Sequence, residues 1–118
     1  MRGTGTREAG SQAEQLAGRM LEESGLRILA RNFRCRLGEI DLVAQDGATY
    51  VFCEVRLRRS AGHGGAAESI THHKRRRIIA AARYFLSGRA EAACRFDVVL
   101  FDELRAGAGH WIRDAFGE

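Results

Sequence analysis

The sequence predicts an α/β fold in which a small mixed sheet is flanked by helices, in the order α-β-β-β-α-β with a further strand at the end. Three observations predict it. Two segments, 11–24 and 71–87, carry apolar residues at helical spacing. GEIDLVAQDGATYVFCEVRLR, residues 38–58, reads as two strands joined by a tight turn at Asp46-Gly47. RFDVVLFD, residues 95–102, is a separate apolar strand. At 118 residues the chain supports one modest core and is too short for two.

The elements follow in order. MRGTGTREAG is aperiodic and rich in Gly, Thr and Arg, which predicts a mobile tail over residues 1–10 ahead of a domain over 11–118. In the first helix Ala13, Leu16, Ala17, Met20 and Leu21 form the apolar stripe, and Gly25 is placed to stop it. LRILARNF is the first strand, and the hairpin follows. SAGHGGAAES, residues 60–69, is a Gly-rich loop. The second helix presents Ile78, Ala82, Phe85 and Leu86 to the core, with Gly88 just past its end. HWIRDAF, residues 110–116, is the final short strand. Phe96 and Trp111 are expected in the core.

Composition bounds the function. The formal charge is +4, from 19 basic and 15 acidic residues, and 18 of the basic residues are Arg. The excess is local: seven of the Lys and Arg fall between Arg56 and Arg77 against one acid, Glu68. Such a cluster points to a polyanionic partner more than the net charge does. Cys35, Cys53 and Cys94 lie far apart and form no metal-ligand or disulfide pattern, which fits a reducing compartment. No apolar run reaches membrane-spanning length and residues 1–12 lack the apolar core of a signal peptide, so the expectation is a cytoplasmic protein without a membrane partner.

The hairpin carries the chemistry. With a two-residue turn at Asp46-Gly47, paired positions place Asp41 opposite Phe52 and Glu39 opposite Glu54. Alternation then puts Glu39, Asp41, Phe52, Glu54 and Arg56 on one face. Asp41 and Glu54 become diagonal neighbours roughly 7–8 Å apart, or face each other if the loop differs. Like charges this close need neutralising, and a hard divalent cation such as Mg²⁺ does so through carboxylate oxygens. Glu14, at the edge of the first helix's stripe, is a third candidate ligand. The plainer alternative is a solvated polar face on which Arg56 pairs with Glu54. Val43 and Phe52 share that face, which argues for partial cover, and partly buried carboxylates need partners.

GEIDLV, the Asp-Gly turn and VFCEVRLRRS, with AEQLA upstream and GGAAESIT-x-x-K downstream, resemble the YraN family of small bacterial proteins. The resemblance runs from about Glu8 to Phe116 and takes in RFDVV and the closing W-I-x-D-A-F. It implies a single restriction-endonuclease-like domain of the PD-(D/E)XK type, related to archaeal Holliday-junction resolvases. It also implies Asp41, Glu54, the Val55 carbonyl and Glu14 as ligands of Mg²⁺ or Mn²⁺. The catalytic set it implies is Glu14, Asp41, Glu54 and Arg56, with Arg56 where the general motif has lysine. Arginine cannot act as a base, so its implied role is to hold the phosphate and stabilise developing charge. A homodimer follows by analogy only.

THHKRRR, residues 71–77, places Lys74, Arg75, Arg76 and Arg77 at the start of the second helix. Cations there oppose the helix dipole, while free amide groups suit phosphate. With Arg58 and Arg59 on the adjacent strand they form the expected nucleic-acid contact. Lys74 is read as a phosphate contact rather than a replacement for the missing lysine, because nothing in the spacing fixes its direction. His63, His72 and His73 are surface groups or minor phosphate contacts. Ser60, Gly62, Gly64 and Gly65 offer backbone amides. The expected function is nucleic-acid binding on a nuclease fold, with metal-dependent endonuclease cleavage of structured or branched DNA. The alternatives are a binding module that has lost cleavage and an adaptor whose acids pair with Arg56 and Arg58.

Overall fold

The architecture is built by β-strands whose alternate residues go to opposite cores. The computed structural model describes residues 6–58, 70–89 and 92–117. Its elements are α1 (Thr6–Glu23), β1 (Arg27–Cys35), β2 (Gly38–Asp46), β3 (Thr49–Leu57), α2 (His72–Leu86), β4 (Cys94–Phe101) and β5 (Gly109–Phe116). The strands form one mixed sheet in the order β1-β2-β3-β4-β5. Every neighbouring pair is antiparallel except β3 and β4, which α2 connects in parallel. Arg59 and the Gly-rich stretch 60–69, with Ser60, Gly62, His63, Gly64 and Gly65, lie outside the described residues.

On one face Phe52, Phe96, Val98, Leu100 and Val43 pack with Ile78, Ala81 and Ala82 of α2. On the other, Val51, Cys53, Val99, Phe101 and Leu42 pack with Ala13, Ala17 and Leu21 of α1. A sheet covered on both faces needs near-continuous apolar strands at its centre, and β3 and β4 read that way. Phe52 stacks on Phe96, and Phe96 stacks on Phe116, continuing the α2-side core across three strands.

The helices match the sequence pattern with one difference. Thr71 caps α2, its Oγ1 accepting from the Lys74 amide at 3.1 Å, and Ser87 closes the other end. α1, however, starts at Thr6 and takes in residues 6–10, which the sequence assigned to the tail. Ala9 extends the stripe of Ala13, Ala17 and Leu21 backwards at four-residue spacing and is buried with it, so burial carries the helix through Gly10.

The hairpin register also differs. Asp46 pairs with Thr49 and Val43 with Phe52, so the turn is Gly47-Ala48 rather than Asp46-Gly47. Gly47 supplies the positive φ of 61° that such a turn requires at its first position. Asp46 stays in the strand, where Arg95 of β4 reaches it at 3.2 Å. The shift keeps each side chain on its face and moves the pairing by one position on each strand.

Trp111 is half-buried and packs against the α1-side core as expected. Its Nε1 donates to Asp97 at 2.9 Å, while the Arg113 guanidinium lies 3.9 Å from the indole. Asp97 is fully buried in β4 and also accepts from Arg95 Nε and from the Asp114 amide. These bonds tie β4 to β5, where Asp114 adopts a left-handed φ of 54° and the register shifts between Phe96 and Val98. Strand β1 carries a comparable break, with Asn32 at φ 52° and a register shift between Ile28 and Ala30.

The β1–β2 connection rests on α2. A Cβ at Gly38 would sit 2.6 Å from the Arg77 carbonyl oxygen, a backbone atom that cannot swing aside. Gly38→Ala should therefore lower stability by about 1–3 kcal/mol through overpacking. Urea unfolding checks this, and a change of a few tenths of a kcal/mol would show that the turn can lift off the helix freely.

Candidate functional site

The site forms where β2 and β3 stop pairing. Their ladder ends at Leu42 and Cys53, one residue short of the acidic pair. Continued by one step it would set Asp41 opposite Glu54, the closer of the two arrangements the sequence allowed. Instead of a backbone carbonyl, the Asp41 carboxylate takes the Val55 amide, which donates to Oδ2 at 2.8 Å. Alternation breaks at the same place: Ile40 packs on the α2 side and Leu42 on the α1 side. Across β1, Arg31 pairs with Leu42 and Phe33 with Ile40, leaving the left-handed Asn32 between them. Asp41 thereby leaves the β2–β3 ladder and turns its carboxylate to the Val55 amide of β3.

Of the three site acids Glu54 is the one that is buried, with only 3% of its surface exposed. Its Oε2 receives Lys74 Nζ at 2.9 Å, and Arg56 Nη1 lies at 3.9 Å from the same atom. Lys74 is thus the nearer cation, and its direction, which the spacing left open, is into the site. The Thr71 cap fixes it in the first turn of α2, facing the same way as Ile78 one turn on. Glu14 comes from α1 on the opposite side of the sheet and lies within hydrogen-bonding reach of Asn32 and Asp41.

Electrostatics follow from crowding. Burial first, and then the Asp41 charge, push the Glu54 carboxyl up to about 7, against the pull of Lys74 and Arg56. Burial raises Asp41 too, opposed by the Val55 amide and Lys74. Burial and Asp41 likewise raise Glu14. Carboxyl groups this close hydrogen-bond to one another only while one of them keeps its proton.

Glu14, Asp41 and Glu54 are the acids the sequence singled out as ligands, and Asp41 links them, interacting with Glu14 on one side and Glu54 on the other. Glu39 does not join them; it is exposed and pairs with Arg34 at 3.1 Å. Among the described residues no three His, Cys, Asp or Glu side chains form a ready-made metal cage, because Glu54 is turned onto Lys74 and Asp41 onto Val55. The donor chemistry still fits a hard cation: the groups are all carboxylate oxygens, and their raised pKa values express first burial and then mutual repulsion, both of which a dication offsets.

The basic residues divide. Arg58 is held by Asp102, its Nη2 at 3.0 Å. Arg75 donates to the Ile70 carbonyl at 3.1 Å and lies over the Phe116 ring, so it braces the start of α2. Arg76 and Arg77 are exposed. With Ile79, Ala80 and Arg83, Arg76 lines a shallow groove of about 350 Å³ on the outward side of α2. Arg83 joins this basic face although the sequence reading did not single it out; its position seven residues after Arg76 was the available signal.

A family model described as "Uncharacterised protein family UPF0102" matches residues 13–101, a span that contains Glu14, Asp41, Glu54, Arg56 and Lys74. The chain belongs to this family. A UPF0102 protein of Methylobacillus flagellatus is 50% identical over 110 residues, covering 93% of this chain and 97% of the relative. One from Dechloromonas aromatica is 50% identical over 111 residues, covering 94% and 90%. One from Nitrosococcus oceani is 49% identical over 114 residues, covering 93% and 92%. The UPF0102 members are thus similar along the whole domain rather than over one motif. Among the described residues no helix is long and apolar enough to cross a membrane.

The raised Glu54 carboxyl has a consequence for stability. In the folded chain it holds its proton up to about pH 7, whereas its ordinary value is 4.5. Between these values the native state binds the extra proton, so this group's contribution to stability falls as pH rises and levels off above 7. In metal-free buffer the melting temperature of the wild type, measured against Glu54→Gln, should drop by several degrees between about pH 4.5 and pH 8. A difference that stays constant across that range would contradict the assignment.

Proposed function

We propose that this UPF0102 protein binds nucleic acid on a restriction-endonuclease-like, PD-(D/E)XK domain and hydrolyses phosphodiesters in structured or branched DNA with the help of Mg²⁺ or Mn²⁺. The observation that carries the reading is the buried Glu54, set beside Asp41 where β2 and β3 part and approached by two cationic side chains. A structural ion pair does not need two further acids at its side. A phosphoryl-transfer centre does, because it must gather positive charge around a phosphate that it also has to release.

In this reading Asp41, Glu54 and Glu14, with the Val55 carbonyl, would hold the divalent ion. Such an ion, when bound, would supply charge at the phosphate and acidify water. Arg56, on β3 two residues beyond Glu54, holds a phosphate oxygen and stabilises charge that grows in the transition state. It cannot take a proton from water. Arg76 and Arg77 on the exposed side of α2 contact the backbone and give affinity without sequence preference.

A second reading has its own support. Glu54 is already satisfied by Lys74, and Arg56 stands where the general motif has lysine, as a binding module that has lost cleavage would keep them. A cleavage assay separates the two. Labelled four-way junction, flap, duplex and single-stranded DNA are incubated with Mg²⁺ or Mn²⁺ and either wild type or Glu54→Ala. The expected result is metal-dependent cutting that falls by at least a hundredfold in Glu54→Ala, with DNA affinity kept or improved. Equal cutting by both proteins would sink the metal-centre reading. Salt-sensitive binding without cutting by either would favour the module.

A further inference from the structure

One carboxylate oxygen, Glu54 Oε2, faces both cations of the site: Lys74 Nζ at 2.9 Å and Arg56 Nη1 at 3.9 Å. A hard cation would bind that oxygen at about 2.0–2.2 Å, well inside the ammonium contact. Ammonium and dication cannot both hold the atom without placing two like charges a few ångström apart. Lys74 is able to leave. Its side chain is 41% exposed, its charge is compact, and it sits on a flexible four-carbon stem rooted in the first turn of α2. The backbone there need not move, because Thr71 caps the turn independently of the ammonium group. Glu54 is different: its side chain is 4% exposed and its strand lies between two neighbours, so the acid stays and the cation is exchanged.

On the metal-centre reading above, we propose that Lys74 is the resident counter-ion of Glu54, that an entering divalent cation displaces it, and that the released ammonium then contacts the phosphate beside that cation. The same lysine therefore does two things in turn. While the metal is absent it pairs with the buried Glu54 carboxylate at 2.9 Å. Once the metal is present it is a positioning residue for substrate, delivered from α2 rather than from the strand that carries Glu54. A purely structural lysine makes the opposite prediction, because removing it would loosen the acid cluster and weaken any cation site.

The test is calorimetric titration of Mn²⁺ into wild type, Lys74→Met, Lys74→Gln and Lys74→Arg, with Arg105→Met as a control for loss of a surface charge elsewhere. Lys74→Met and Lys74→Gln should bind Mn²⁺ about tenfold more tightly than wild type, a typical size for coupled sites. Lys74→Arg and Arg105→Met should stay close to wild type. Unchanged or weaker binding in both neutral variants, with wild type binding normally, overturns the displacement and leaves the metal centre standing. Absence of Mn²⁺ binding in every protein overturns the metal centre, and the displacement with it.

The second arm follows duplex DNA binding by fluorescence anisotropy with and without Ca²⁺. Lys74→Met should cost little affinity without Ca²⁺, when the wild-type lysine is engaged by Glu54, and about tenfold with it. The difference between the two losses isolates the coupling. Equal losses under both conditions would overturn the transfer of Lys74 to phosphate.

Discussion

Two carboxylates cannot be enclosed side by side unless something answers their charge, and this constraint organises the molecule around Glu54. Burial of the acid follows from its place in β3, a central strand with a core on either side. Asp41 is brought to it by the hairpin, and Glu14 arrives from the helix on the far face. The answer to the charge comes from three directions: a strand amide at Val55, the Arg56 guanidinium, and Lys74 from α2. Loss of any one shifts the burden onto the others, so these side chains behave as a unit rather than as separate contacts.

The fold and the site are joined through α2. Its apolar side is continuous with the Phe52–Phe96–Phe116 stack, while its first turn delivers Lys74 and its outer side carries Arg76 and Arg83. The contact of Gly38 against the Arg77 carbonyl adds the β1–β2 turn to the same helix. A helix that closes a core and also presents charge to a centre where β2 and β3 part transmits any shift in packing to that centre.

Much of this was legible in the sequence, for identifiable reasons. The limits of α2 followed from Thr71, Ser87 and the Ile78–Ala82 spacing, and the three acids followed from strand alternation and the helical wheel. The register did not, because Asp46-Gly47 is the more usual turn pair; Val43 against Phe52, Leu42 against Cys53 and the Arg95–Asp46 contact outweigh that local preference. The inward aim of Lys74 had a signal, since it lies four residues before Ile78 and continues the core stripe of α2, but a run of four basic residues obscured it. Asp97 had one as well. It stands in phase with Val99 and Phe101, and an acid in phase with buried neighbours must be hydrogen-bonded inside the fold.

Among the described residues strands β1 and β5 each pair on one side only, which leaves two rows of backbone groups facing outward. Such rows recruit strands from other chains when they are long, straight and apolar. Here the left-handed Asn32 and the register shift interrupt β1, which also carries Arg27, Arg31 and Arg34. Asp114 and a second shift interrupt β5. Neither margin offers a straight template, so the sheet is guarded against growing by addition of another copy. Association between copies through either margin is thereby disfavoured, and helix faces and loops are the surfaces left for it.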